Sequence, residues 1–248
     1  MLNMQPKRTV ETPPRPEDRD TSLHPATPGL CEQTLLALAA AGPIAAHHER
    51  SLWTLRAKRV GDLVLGSILL ALLLPVLVVT AICIRLESPG TVLLFQPRHG
   101  FRGRVFSCLK LRSMYVNSAR PEVAASVTGQ LVKEYNDPRI TRVGRFIRRT
   151  SIDELPQLWN VVRGDMSLVG PRPLVLHMLD PYPEILAVRS LARPGITGLW
   201  QVNDRANCTH LFFMLPYDLE YLRTMSIWTD LRILARTVGV AISGAGAI

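Results

Sequence analysis

Asp153 and Glu154 stand side by side in the stretch Arg148 to Pro173, RRTSIDELPQLWNVVRGDMSLVGPRP, among Arg148, Arg149, Arg163 and Arg172. Adjacent carboxylates in an arginine-rich setting suit a metal-assisted site for an anionic substrate, because the cations keep both acids ionised and attract phosphate. The same residues also fit a helix start, since Ser151 and Glu154 have the spacing of a capping box. The two readings are compatible. A helix beginning near Glu154 or Pro156 places both carboxylates at its positive end, beside amides that receive phosphate oxygens, and Gly164 then stops it. Further on, Pro171 and Pro173 fix two backbone φ angles around Arg172. That serves equally as a plain rigid turn or as a pre-ordered arginine grip on a ligand.

The run TSIDELPQLWNVVRGDMSLVGPRP resembles the signature of the bacterial sugar transferase family, the monotopic phosphoglycosyl transferases that start glycan assembly on polyprenyl phosphate. The likeness continues through LKLRSM at 109–114, RPGITGLWQV at 193–202 and DLEYLRTMSIWTDLRIL at 218–234. With the apolar segment ahead of them, these stretches span roughly residues 56 to 248. The resemblance implies transfer of a sugar 1-phosphate from a UDP-sugar to undecaprenyl phosphate, with release of UMP, as the first step of exopolysaccharide or other glycan synthesis. It implies Asp153 as a nucleophile that becomes a covalent aspartyl-phosphosugar, and Glu154 as a ligand of Mg²⁺. Lys110, Arg112, Arg148, Arg172 with its flanking Pro171 and Pro173, and Arg205 are the implied substrate-binding positions. Asp218 matches the acid of the family's D-x-x-Y element, with a structural or arginine-pairing part. Where the family commonly has Gly before the last arginine, this chain reads Asn203-Asp204-Arg205.

These residues need elements to hold them. Between Arg98 and Arg149, twelve lysines and arginines face only Glu122, Glu134 and Asp137, an excess equal to the whole chain's net charge of +9. Thr91 to Gly100 reads as an extended run with a hairpin partner over Phe101 to Met114, placing Lys110 and Arg112 on one strand face and Leu109 and Leu111 on the other. That basic face suits phosphate, or simply solvent. Val143, Phe146 and Ile147 mark a short amphipathic helix leading to Arg148, whose charge also suits the helix C-terminus. Leu174 to Arg189 predicts a helix interrupted by Pro181 and Pro183. In GITGLWQVN the glycines allow close backbone approach, while Gln201 and Asn203 have the chemistry to hydrogen-bond a sugar or base. Trp200 points toward a hexose such as glucose or galactose. Ala206 to Met225, which includes Tyr221 and is followed by Trp228, suits either a helix in the lipid headgroup region or core packing.

Leu63 to Ile84 is an apolar run of twenty-two residues without a charge. At about 1.5 Å per residue it is long enough to cross a bilayer core of roughly 30 Å, and hydropathy alone favours a plain transmembrane helix. Pro75 lies just past its middle, and basic residues flank both ends, so a helix that enters, bends at Leu74-Pro75 and returns to the same face accounts for both features. The resemblance implies that re-entrant arrangement, although the family's break usually falls at a Ser-Pro pair. The expected fold is α+β: a re-entrant membrane helix hairpin over 51–86, then a small helix-rich cytoplasmic catalytic domain over 87–248 with a short β-hairpin and interfacial amphipathic helices. Residues 1–50 hold seven of the nineteen prolines and read as a disordered tail without a cleaved export signal. The implied location is the bacterial inner membrane, monotopic, with the catalytic part in the cytoplasm.

Cys31, Cys83, Cys108 and Cys208 lie too far apart for a zinc or disulfide pattern, and the six histidines show no ligand spacing. The oligomeric state is open, a homo-oligomer included. Nucleic-acid binding is disfavoured, because few aromatics interleave with the basic block and a long apolar run has no place there. A non-catalytic adaptor anchored on anionic lipid would use the basic block but leaves the carboxylate pair without a purpose.

Overall fold

The computed structural model describes residues 52–116, 137–204 and 211–243. The expected tail, residues 117–136 and Arg205 lie outside the described residues.

Leu52–Glu87 forms one helix, α1, of 36 residues with Pro75 inside it. Pro75 offers no N–H to the carbonyl one turn back, and Thr80 Oγ1 donates to Val76 O at 2.7 Å, a side-chain contact of the kind that bends helices. By length and composition α1 can cross a membrane, yet only 11% of its most apolar window is buried, so it is not a core helix. Leu65, Leu69, Leu70 and Leu73 pack inward, whereas Leu72, Val79, Ile82 and Leu86 face out.

Both ends of α1 are tied to the same body. Near its start, Arg59 donates to Val161 O at 2.6 Å and Val162 O at 2.7 Å, Asp62 accepts from Leu168 N at 3.0 Å, and Lys58 pairs with Asp230. At its finish, Glu87 accepts from Arg142 N at 2.7 Å and Val143 N at 3.0 Å. A carboxylate there caps the N-terminus of α2, Arg142–Arg149, whose Thr141 side chain also accepts from Gly144 N at 2.8 Å.

Leu93–His99 (β1) and Val105–Leu111 (β2) form the expected antiparallel hairpin, with Leu94 opposite Lys110. The free edge of β2 is covered by Asn160, which is fully buried: its Oδ1 accepts from Leu109 N at 3.0 Å and its Nδ2 donates to Ser107 O at 2.8 Å. Asn160 belongs to α3, Gln157–Arg163, which ends at Gly164 with φ 98°, as the sequence predicts. A left-handed residue there lets the Gly164 and Asp165 amides reach the Asn160 carbonyl, each at 3.0 Å.

Two short strands, Ser167–Val169 (β3) and Gly195–Thr197 (β4), pair in parallel, a feature not expected from the sequence. They lock the Pro-Arg-Pro turn to the second glycine motif. A Cβ on Gly195 would stand 2.1 Å from Gly170 N, and one on Gly198 would stand 2.5 Å from Gly170 O, so the expected close backbone approach is real. Between the strands lie α4 (Leu176–Leu179) and α5 (Pro183–Arg189), interrupted where Pro181 and Pro183 predicted. Leu199–Asn203 (α6), Leu211–Thr224 (α7) and Ile227–Ser243 (α8) complete the α+β body.

The large apolar residues of α7 resolve as core. Met214, Leu215, Leu219 and Leu222 are buried with Trp200 and Met178, and Tyr221 is 1% exposed, its hydroxyl 3.0 Å from Val169 O and 2.9 Å from Asp230 Oδ1. Trp228 on α8 is instead 77% exposed, beside exposed Ile227 and Leu231.

Arg112 follows β2 and is 3% exposed. Its guanidinium donates to Pro89 O at 2.9 Å, Ser88 O at 2.6 Å, Ser88 Oγ at 2.9 Å and Ile84 O at 3.4 Å, so it clamps the end of α1. Replacing it by methionine abandons several charge-assisted hydrogen bonds. Arg112→Met should therefore destabilise the protein by about 2–3 kcal/mol, seen as a fall in Tm of roughly 4–12 °C in detergent.

Candidate active site

Ile152–Glu154 is a single 3₁₀ turn, and the residue ahead of it, Ser151, has φ 57° and ψ 19°. A non-glycine residue held left-handed is a strained backbone position, and it sits immediately before the two carboxylates. The expected capping box does not form: Ser151 makes no side-chain cap, and the first helical residue comes three positions after Glu154, at Gln157. The Glu154 side chain is claimed elsewhere.

Lys110 Nζ donates to Glu154 Oε1 at 3.0 Å; Arg172 donates to the same oxygen at 2.5 Å and to Oε2 at 3.2 Å. Burial alone would raise the Glu154 pKa, but the Arg172 and Lys110 charges and hydrogen bonds overcome it and hold the carboxyl far below its usual range. In return Glu154 raises the Arg172 pKa against the effect of burial, so that guanidinium stays charged. Asp153 goes the other way. Burial lifts its pKa, the neighbouring Glu154 charge adds to the lift, and Lys110, Arg148 and Arg172 offset only part of it. Adjacent carboxyls are thus driven apart in basicity, one locked as an anion and the other a stronger base.

The chain positions Arg172 from behind. Asp218 and Arg189 form a buried ion pair, and Arg189 Nη2 donates to Arg172 O at 2.7 Å. The neighbouring carbonyls are also held, Pro171 O by Gly195 N at 2.9 Å and Pro173 O by Arg98 at 3.3 Å. With two prolines and three bound carbonyls, the turn has little freedom left, and the Arg172 side chain reaches Glu154 from a fixed base. Lys110 is aligned by Asn160, whose grip on Leu109 lies one residue away.

Of the residues expected from the sequence, Asp153, Glu154, Lys110, Arg148 and Arg172 come together, Arg148 through its charge on Asp153. Arg112 is not brought to them, because it closes the end of α1. Asp218 takes the arginine-pairing part, behind the turn. Gln201 lines a recess that Glu154 also borders, and Asn203 accepts from Arg236 at 2.9 Å. Among the described residues, no group of three or more His, Cys, Asp or Glu is arranged to hold a metal. Asn160, Arg189 and Arg98 were not singled out by the sequence. A buried asparagine inside an apolar helix was the one visible hint, in LPQLWNVV.

A family model described as bacterial sugar transferase matches residues 53–244. The chain is 45% identical over 223 residues to a UDP-glucose:undecaprenyl-phosphate glucose-1-phosphate transferase of Caulobacter vibrioides, covering 87% of this chain and 78% of that protein. It is 42% identical over 224 residues to a UDP-galactose-lipid carrier transferase of Erwinia amylovora, covering 86% of this chain and 45% of that one. It is also 42% identical over 202 residues to an uncharacterized sugar transferase of Haemophilus influenzae, covering 77% of this chain and 42% of that one. The chain therefore spans less than half the length of two of these relatives.

The Arg189–Asp218 pair supports a test of the positioning role. Burial lifts the Asp218 pKa to about 6 even with Arg189 beside it. Arg189→Met strands that carboxyl and should cost about 3–5 kcal/mol at neutral pH. The deficit should shrink as pH falls and the stranded acid takes up a proton, and Arg189→Met with Asp218→Leu should recover part of it, all read by thermal unfolding.

Proposed function

The chain belongs to the bacterial sugar transferase family, and on that premise we propose that it moves the sugar 1-phosphate of a UDP-hexose onto undecaprenyl phosphate, releasing UMP and starting a glycan. The observation that carries the reading is the split carboxylate pair. Glu154 is paired with Arg172 and Lys110, which leaves Asp153, without a hydrogen-bond partner among the described residues, as the more basic oxygen nucleophile beside three cations.

In the first step an Asp153 carboxylate oxygen attacks the β-phosphorus of the donor. The bond from that phosphorus to the bridging oxygen breaks, UMP leaves, and the sugar phosphate stays on the aspartate as an acyl phosphate. In the second, a phosphate oxygen of the lipid attacks the same phosphorus, expelling the Asp153 carboxylate and forming the polyprenyl diphosphate sugar. Lys110, Arg148 and Arg172 oppose the charge that builds on the phosphoryl oxygens. Arg205 joins them in this reading.

Mg²⁺ is the implied metal, and the donor set fits it: this ion is commonly held by one or two carboxylates together with substrate phosphates, and Glu154 Oε2 carries a single contact at 3.2 Å. Glu154 would hold it, and when bound it neutralises diphosphate charge.

The hydrophobic substrate explains α1. Eleven large apolar side chains of α1 are exposed, from Val60 to Leu86, a face suited to lipid, where exposed apolar area gains about 25 cal/mol per Å² over water. A re-entrant path is supported by the double attachment: Arg59 and Asp62 at one end and Ile84 and Glu87 at the other are bound to one globular body, which can lie on only one side of a bilayer. Exposed Ile227, Trp228 and Leu231 suit the headgroup layer beside it. We place that body in the cytoplasm, at the inner membrane, where nucleotide sugars are made. Two of the relatives named above carry glucose or galactose in their names, which supports a hexose as the substrate class.

Incubating the detergent-purified protein with UDP-glucose or UDP-galactose should yield an intact mass raised by one hexose phosphate. Asp153→Asn should abolish both that adduct and UMP release; full activity in the variant would remove Asp153 from the chemistry. Because the raised Asp153 must be ionised to attack, adduct formation should fall as pH is lowered, through a midpoint above the ordinary aspartate value. A single-turnover pH series checks it.

A further inference from the structure

The recess shared by Glu154 and Gln201 has features that the phosphoryl transfer does not explain. Thr150, Leu155, Ile196 and Thr237 are among its other walls, and its cavity volume is about 160 Å³. Among the described residues, no lysine or arginine lines it. Gln201 is 8% exposed; its Nε2 donates to Ile196 O at 3.1 Å, and its Oε1 is buried without a partner among the described residues. The assignment of the two amide atoms follows from Ile196, whose carbonyl can only accept. A buried acceptor left unpaired is costly, and a ligand that donates to it recovers that cost on binding.

We propose that this recess receives the hexose of the nucleotide sugar, and that Gln201 Oε1 accepts a hydrogen bond from one ring hydroxyl, making Gln201 a determinant of which sugar is transferred. The inference rests on Asp153 being the nucleophile. Glu154 is the next residue, so the recess opens one residue from the attacking carboxylate. The group esterified directly to the attacked phosphorus is the sugar, whereas the base stands beyond the α-phosphate and ribose. Threonine hydroxyls beside aliphatic walls match the hydroxyls and C–H faces of a pyranose. Among the described residues, the lining offers no aromatic ring or arginine plane for a base to stack on. An isoprenoid chain would suit the aliphatic walls but has no donor for Oε1.

The test compares the full-length protein with Gln201→Leu and Gln201→Glu, using UDP-glucose, UDP-galactose and analogues of each lacking one ring hydroxyl. For the native protein, one deoxy position should lower kcat/KM by about tenfold to a hundredfold. In Gln201→Leu the parent sugar should lose a similar factor and that deoxy analogue lose little more, with competitive inhibition by UDP unchanged. Gln201→Glu keeps the acceptor and should retain the discrimination. A flat response of the native protein across the deoxy series overturns the proposal even if neither variant folds. So does weaker UDP inhibition in step with the loss of sugar, which would move Gln201 to the nucleotide. Failure of the underlying reading looks different: no UDP-sugar then leaves a phosphosugar on Asp153 at all.

Discussion

Glu154 between Lys110 and Arg172 is the contact on which the site depends. Three separate segments meet at that one carboxylate: a strand, a 3₁₀ turn and a proline-flanked loop. Without it, two cations would face each other across a partly buried space, and Coulomb repulsion at low dielectric would spread the site. With it, the cations are spaced by an anion that does not titrate in the working range, and the neighbouring aspartate is only partly countered by them. The rest of the body reads as support for this arrangement. Asn160 sets the strand, Arg189 and Asp218 set the loop, and the parallel β3–β4 pair brings the loop against the glycine motif with no room for a side chain between them.

The long helix is part of the same support. Arg59 satisfies the last carbonyls of α3, the helix that carries Asn160, and Asp62 satisfies an amide of β3 just ahead of the Pro-Arg-Pro turn. At the other end Glu87 caps α2, whose last turn holds Arg148. Ile84, Leu111 and Ile147 then share a small apolar cluster. Each catalytic segment is therefore no more than one element away from the apolar helix.

Much of this was legible in local sequence. The hairpin, the glycine stop at Gly164, the proline breaks and the short helix before Arg148 follow from period and punctuation, which act over a few residues. The family likeness supplied the cluster of Asp153, Glu154, Lys110, Arg148 and Arg172. What could not be read was who pairs with whom at long range. Lys110 and Arg112 lie on the same face by alternation, yet one reaches Glu154 and the other turns to the end of α1, because the strand stops between them. The capping box at Ser151 looked sound by spacing, and lost to an ion pair from residues 44 and 18 positions away. The β3–β4 pair escaped notice because three-residue strands carry too little pattern.

The double latch on α1 bears on how such a protein can be handled. Trimming the apolar helix to obtain a water-soluble catalytic fragment would not detach a passive anchor. It would strip the arginine from the end of one helix, the carboxylate cap from the start of another and the lid from two hydrophobic clusters. The remainder would be a wounded fold rather than a free enzyme, and lipid mimetics are therefore a structural requirement for it, not a convenience.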